Sequence, residues 1–445
     1  MIIKFFKKLL NKSYWNFKNW VIIYNCQKRS KGGFYMKTIV VMGTLDTKGP
    51  QVKYLEEQIE KRGHRVVLMD LSMGSDSPFG ADITPGEILA RVGKDLKEVQ
   101  RSRDRFSINQ AMTEGVKAVL LELLAKRELD GIIAVGGTTM ATIASQAMHS
   151  LPLGIPKVLG CPGAQPAYVK EWFDASDIVI MQAIMDFAHT NDFVMHNLEL
   201  LAGIICGMVE NQRPYDSIKL PYPCVAITEL GFCPNCAKEV HKLLEEKGFH
   251  VISFHAQGIS DRAMDKLIGQ GLFDGLIDIC PAGLIEEALK GNRAAGFERL
   301  DAPLERGIPV VLAPCCLNLT GCGPTRFEWE KYASREKVLK IDALRSMTRL
   351  NKEELLLCAK LYAEKLNKAK GRVRFLLPLK GFSAIDRPGT ILYDPEEDRI
   401  LIEELKKLVI NPKVEFMEID CNLEDPEFAS FLVQNFEELF KEGGK

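Results

Sequence analysis

The sequence predicts an α/β protein built from two duplicated Rossmann-like lobes, each with a mainly parallel sheet. Three observations carry that reading. Short apolar runs alternate with longer helical stretches from residue 37 onward, the pattern of βαβ units. One set of landmarks occurs twice in the same order. At 445 residues the chain is also too long for one ordinary core.

The first-lobe strands are read at TIVVMG (38–43), RVVLMD (65–70), GIIAVGG (131–137) and KVLGC (157–161). A helix over 50–62 places Val52, Leu55 and Ile59 at helical spacing and stops at Gly63, as a left-handed cap requires. The layout then returns. CVAIT (224–228) answers IVVMG (39–43), a helix over 237–247 ends at Gly248, and HVISFH (250–255) answers RVVLMD. Leu129-Asp130-Gly131-Ile132-Ile133 reappears as Phe273-Asp274-Gly275-Leu276-Ile277, and Gly154-Ile155-Pro156 as Gly307-Ile308-Pro309. Gly63 lies 67 positions before Asp130, but Gly248 only 26 before Asp274, so the first lobe carries 41 extra residues, expected as helix within 75–125. The second lobe grows at its end instead, with strand 372–378, helix 396–409, strand 414–419 and helix 425–440. A long helix over 183–210 is expected at the junction. The lobes are read as 36–210 and 223–445, joined by a linker at 211–222.

Charge and cysteine content narrow the function classes. Residues 1–35 hold eight Lys/Arg and no acid, leaving 50 Lys/Arg against 59 Asp/Glu, a formal charge of -9. So acidic a body attracts neither nucleic acid nor anionic lipid, and no apolar run approaches a membrane span of roughly 20 residues. The segment 1–35 can be read as a basic amphipathic membrane-surface helix. The stronger reading comes from Lys31-Gly32-Gly33, which back-translates to a purine-rich ribosome-binding sequence just before Met36. Met36 is therefore expected to be the start in a bacterial gene, with 1–35 translated upstream sequence that is disordered and dispensable. Twelve cysteines in a chain this long are not a disulfide scaffold, which points to reduced thiols and a cytoplasmic location.

Two turns are candidate phosphate cradles. Gly43-Thr44-Leu45-Asp46-Thr47-Lys48-Gly49 leaves the first strand and enters a helix, and Gly136-Gly137-Thr138-Thr139 does the same after a later strand. Helix N-termini offer free N–H groups, Gly permits close approach, and Thr44, Thr47, Thr138, Thr139 and Lys48 add donors or charge. Tight β-α turns need the same residues for structural reasons alone.

VVMGTLDTKG (40–49), RAMDKL (262–267), GIPVVLAP (307–314) and FLLPLKGFSAIDRPG (375–389) together resemble the ATP-binding-domain family of the tomato mosaic virus resistance protein, over nearly everything after Met36. The resemblance implies two Rossmann-like lobes, ATP or a related nucleotide as ligand, and a homodimer, but no known bacterial reaction. It adds Asp186 and Asn191, in MDFAHTND (185–192), as candidate ligand contacts, with helix capping the plainer role for Asn191. The chain departs from the family pattern at Val135–Met140, where relatives carry a richer Gly-Ser-Gly run, and at Cys161–Pro166, where they carry a Ser/Gly-rich loop.

A second constellation lies in the second lobe. Cys233 and Cys236 follow its first strand as CxxC, His255 ends the second, Cys280 the third, and Cys315, Cys316 and Cys322 follow the fourth. A parallel sheet sends all these positions to one edge. Thiolates suit zinc or an iron–sulfur cluster, and a redox dithiol is an alternative. Cysteine as a small core residue is the plain one. Arg299 and Arg326 are candidate anion clamps. Three function classes follow: a nucleotide-binding protein of unknown reaction, a metal- or iron–sulfur-dependent enzyme, or a non-catalytic interaction protein.

Overall fold

A computed structural model describes residues 36–213 and 217–443, so the basic segment 1–35 and residues 214–216 of the expected linker lie outside the described residues. Two compact units emerge. One comprises residues up to 144, 156–163 and 180–211; the other comprises 145–155, 164–179 and 212 onward.

The first unit is organised on a five-stranded sheet of β1 (Thr38–Gly43), β2 (Arg65–Asp70), β3 (Gly131–Val135), β4 (Lys157–Cys161) and β5 (Ile178–Gln182), in the order β2-β1-β3-β4-β5. β2, β1, β3 and β4 pair in parallel. These strands are continuous Val/Ile/Leu runs because helices cover both faces of the sheet. The helix Leu45–Glu60 buries Val52, Leu55 and Ile59 there, and Asp192–Asn211 buries Leu198, Leu201 and Ile205 in the same core. Helical structure starts at Leu45 rather than 50, with a non-helical Lys48 that accommodates Pro50. The insertion holds three helices, Pro85–Ala90, Leu96–Arg101 and Arg105–Ala125. The expected helix over 183–210 is corrected: it begins at Asp192, where the Asn191 side chain accepts the Val194 N–H at 3.0 Å. Among the described residues this helix is long and apolar enough to cross a membrane by length and composition, yet its apolar stripe is spent on the first core.

The second unit contains β6 (Cys224–Glu229), β7 (His250–His255), β8 (Gly275–Asp278) and β9 (Val310–Leu312). A small antiparallel sheet follows, made of β10 (Leu319–Gly321), β11 (Val338–Lys340) and β12 (Ser346–Arg349). β13 (Val373–Pro378) and β14 (Val414–Ile419) complete a six-stranded parallel sheet in the order β14-β13-β9-β8-β6-β7.

The duplication extends to single bonds. β1, β2, β3 and β4 correspond in order to β6, β7, β8 and β9. Asp130 accepts the Thr38 N–H at 2.8 Å, and Asp274 accepts the Cys224 N–H at 2.8 Å. Gly63 and Gly248 close equivalent helices at φ of 87° and 86°, where only glycine is unstrained. In both sheets the first strand lies beside the third, so a crevice opens at the carboxyl ends where strand order reverses.

Candidate functional site

A cavity of about 300 Å³ opens at the carboxyl ends of β6 and β7, lined by Phe232, His255, Gln257, Glu286 and Arg293 and walled by Met347 of the small sheet. Glu286 and Arg293 are both almost fully buried and joined at 2.8 Å, and Arg293 also donates to the Leu319 carbonyl at 3.2 Å. Burial works against the Arg293 charge, but Glu286 and the nearby thiols of Cys316 and Cys280 hold it cationic.

Beneath Arg293 lie the thiols. Cys280 follows β8, with its N–H bonded to Thr228 Oγ1 at 2.9 Å, and the Cys315 N–H reaches the Ile279 carbonyl at 3.1 Å. Cys316 adopts φ of 61°, which turns the chain back after β9. The Sγ atoms of Cys280, Cys315 and Cys316 lie within 4.8 Å of one another, with 3.7 Å between Cys315 and Cys316. Cys233, in the non-helical N-cap of helix Pro234–Glu246, sends its thiol toward Leu230 and Cys315. Burial pushes the Cys315 thiol up. It opposes ionisation of Cys316 too, but hydrogen bonds from Cys280 and Cys315 and the Arg293 guanidinium outweigh it and hold that thiol well below its ordinary value. Ionisation is thus favoured at Cys316, next to the buried Arg293, over Cys315. Every described cysteine is free and buried.

The remaining expected ligands lie elsewhere. Cys236 is in the first turn of its helix, its N–H bonded to Glu424 at 3.1 Å and its thiol near Cys233, Glu424 and Cys421. The Cys322 N–H bonds to the Ser346 carbonyl at 2.8 Å in the small sheet, with Arg326 and Arg335 as neighbours. His255 lines the cavity, exposed, outside the thiol group. Sequence reasoning missed Glu286 and Arg293; an acid and a base seven residues apart after a buried strand were the only signal. Arg299 and Arg326 are not free clamps. Arg299 is buried with Asp265 at 3.1 Å and Asp278 at 2.5 Å, and Arg326 donates to the Gly321 and Leu289 carbonyls while stacking on Tyr332 at 3.6 Å.

In the first unit, Gly43 and Gly49 are packed against Val52 and Phe79. The N–H groups of Leu45 and Asp46 are taken by Asp70 Oδ1 and Ser72 Oγ, each at 3.0 Å, so a carboxylate already occupies this helix start. Thr44 and Thr47 bond each other at 2.9 Å, and Lys48 pairs with Asp186 at 2.6 Å. The other turn differs. A Cβ on Gly137 would meet nothing within 4 Å, and Thr139 is exposed at the start of helix Thr138–Met148. Gly136 packs on Met140, and a Cβ on Gly163 would come within 2.7 Å of Thr138 Oγ1.

Fold and site thus define a two-unit Rossmann-like α/β protein with a thiol group at the carboxyl edge of its second sheet. The chain belongs to the uncharacterised protein family UPF0261, matching its N-terminal domain over residues 37–214 and its C-terminal domain over 222–440. A UPF0261 protein of Clostridium tetani is 33% identical over 396 residues, covering 88% of this chain and 96% of that protein. The ToMV susceptible protein tm-1 of Solanum lycopersicum is 29% identical over 426 residues; the alignment takes in 91% of this chain but 56% of the tomato protein. Among solved structures, a putative UDP-N-acetylglucosamine 2-epimerase from Listeria monocytogenes aligns over 92% of this chain and 98% of its own, at 11% identity and a TM-score of 0.23.

Proposed function

We propose that the chain is a metal-dependent enzyme of small-molecule chemistry, with a single zinc-like ion held by Cys280, Cys315 and Cys316 beside the second-unit cavity. One observation carries the reading: three thiols from two separate strand ends converge within 4.8 Å. A tetrahedral ion with bonds of about 2.3 Å separates its sulfurs by roughly 3.8 Å. The 3.7 Å between Cys315 and Cys316 fits that spacing. A four-iron cluster places one thiolate on each iron and needs wider separations, so the iron–sulfur alternative fits less well. Three protein ligands leave one position for water or substrate. Arg293 offsets the negative charge of three thiolates around a divalent ion, and it connects that position to the cavity it lines. The ion would supply Lewis-acid polarisation or an activated water. Glu286 keeps Arg293 in place. Metal analysis of the anaerobically purified chain should give about one equivalent of zinc, lost in a Cys280→Ser/Cys316→Ser variant. A chain that neither carries metal nor takes up zinc or cobalt(II) contradicts the reading.

A second reading concerns the first unit, where we propose that ATP or a related nucleotide places its phosphates at Gly137–Thr139. The open space at Gly137 favours it. The first-turn N–H groups of a helix lack intrahelical acceptors and attract phosphate. The β1 turn contributes less, because Asp70 already caps it and Asp186 neutralises Lys48.

A further inference from the structure

A larger cavity, of about 540 Å³, lies at the amino-terminal edge of the second unit's parallel sheet, opposite the thiols. Its rim carries Arg306, Lys370, Arg372 and Lys413. Arg372 is bound to Glu415 and Glu442. The other three cations have no carboxylate within ion-pair range among the described residues: Arg306 reaches only the Gly269 carbonyl at 3.5 Å, and Lys413 the Lys370 carbonyl at 2.6 Å. The cavity's own acids are committed, Glu442 to Arg372 and Asp274 to the Cys224 N–H at 2.8 Å.

Complementing a helix end accounts for one of these cations, since Arg306 closes the last turn of helix Asp301–Arg306. It does not account for Lys370 and Lys413, which stand in the connections leading into β13 and β14. Those connections are fixed in place. Asn411 Nδ2 donates to the Leu366 and Ala369 carbonyls at 3.2 and 3.0 Å, and the Lys370 N–H reaches the Leu304 carbonyl at 3.0 Å. Gly371 lies against the Gly307 backbone, an approach that any Cβ would block. The backbone that carries Lys370 and Lys413 is therefore fixed on one cavity rim before any ligand arrives. The inner wall is apolar, with Ile308, Pro309 and Phe440, and Phe440 is itself braced edge-on by Phe249 at 5.1 Å.

We propose that this cavity binds a small organic phosphate, with Arg306, Lys370 and Lys413 around the phosphate and a flat apolar body against Phe440 and Ile308. Three donors of charge-assisted hydrogen bonds suit the several oxygens of a phosphate better than the two of a carboxylate. The cavity size is within the range of small-ligand sites. Because it opens on the opposite sheet edge from the thiols, its ligand is an effector or second ligand and does not take part in the metal chemistry proposed above.

The test is calorimetric titration of the full chain with phenyl phosphate and with inorganic phosphate. It is repeated on Arg306→Gln, on Lys370→Gln, and on Lys407→Gln as a charge-removal control on an exposed helix face. Phenyl phosphate should bind more tightly than inorganic phosphate, because only it reaches the apolar wall. Arg306→Gln and Lys370→Gln should each weaken phenyl phosphate by at least about tenfold, the loss of one charge-assisted bond. Lys407→Gln should leave it unchanged. Absence of phenyl phosphate binding at millimolar concentration overturns the proposal. So does equal affinity for the two ligands, or an affinity that Arg306→Gln and Lys370→Gln leave intact.

Discussion

At Asp398 burial and charge pull in opposite directions. The side chain is almost fully buried, accepts from Asn318 Nδ2 at 2.6 Å, and pairs with Arg349 beside a second buried acid, Asp386. Burial first, then repulsion from Asp386, raise its pKa to about 7 against the pull of Arg349. Between about pH 4 and about pH 7 the folded chain keeps a proton that the unfolded chain has released, so this group lowers stability as pH rises through that window and adds no further slope above it. Asp398→Asn should flatten the fall, measured as the urea midpoint across pH 4 to 8; an unchanged slope in the variant contradicts the assignment. The same neighbourhood explains why FLLPLKGFSAIDRPG is so specific. Gly381 has φ of 101° and lies against the Asp386 backbone, and Asn422 Nδ2 bonds the Lys380 and Asp386 carbonyls at 2.8 and 3.0 Å. The cysteines were only partly legible at this scale. Spacing cannot reveal that Cys233 has non-helical backbone and turns toward Cys315, while Cys236, in the helix proper, has its N–H bound to Glu424 and stays outside the three-thiol group.

Elements were legible where their period and their ends were both written in the sequence. The repeated Asp-Gly after Leu129 and Phe273 marks one structural device, an aspartate that ties the start of the third strand to the start of the first, and it survives duplication because each lobe needs it. The strands β10, β11 and β12 left no such mark, because three or four residues give no alternation to count. The late start of helix Asp192–Asn211 was hidden for another reason: apolar residues in 183–191 extend the helical pattern, while Asn191 sets the boundary by capping. Helix Thr138–Met148 belongs to this scale because the open space at Gly137 and the exposed Thr139 at its start are what favour nucleotide. Calorimetry with ATP should detect binding to the wild-type chain and a loss of at least about tenfold in Gly137→Asp, which sets a carboxylate among the phosphate donors. Equal affinity in the two proteins removes this turn from the site.

The whole molecule repeats one strand layout and then elaborates its two copies differently. Both sheets share the β2-β1-β3-β4 core order, yet the first spends its β1 helix start on Asp70, whereas the second gathers thiols from the ends of β8 and β9. The parallel topology made that gathering readable in outline, since it sends every strand's carboxyl end to one edge. It could not say which side chains pass beneath the edge, a matter of packing around Arg293 and Thr228. The family relationship covers both units and supplies no chemistry, so the claim of a metal rests on the thiols alone. X-ray absorption at the metal edge of the zinc-loaded chain tests it most directly. About three sulfur neighbours at about 2.3 Å are expected, falling in number when Cys316→Ser is measured; a shell of nitrogen and oxygen only, or one indifferent to that substitution, would contradict the thiol-bound metal.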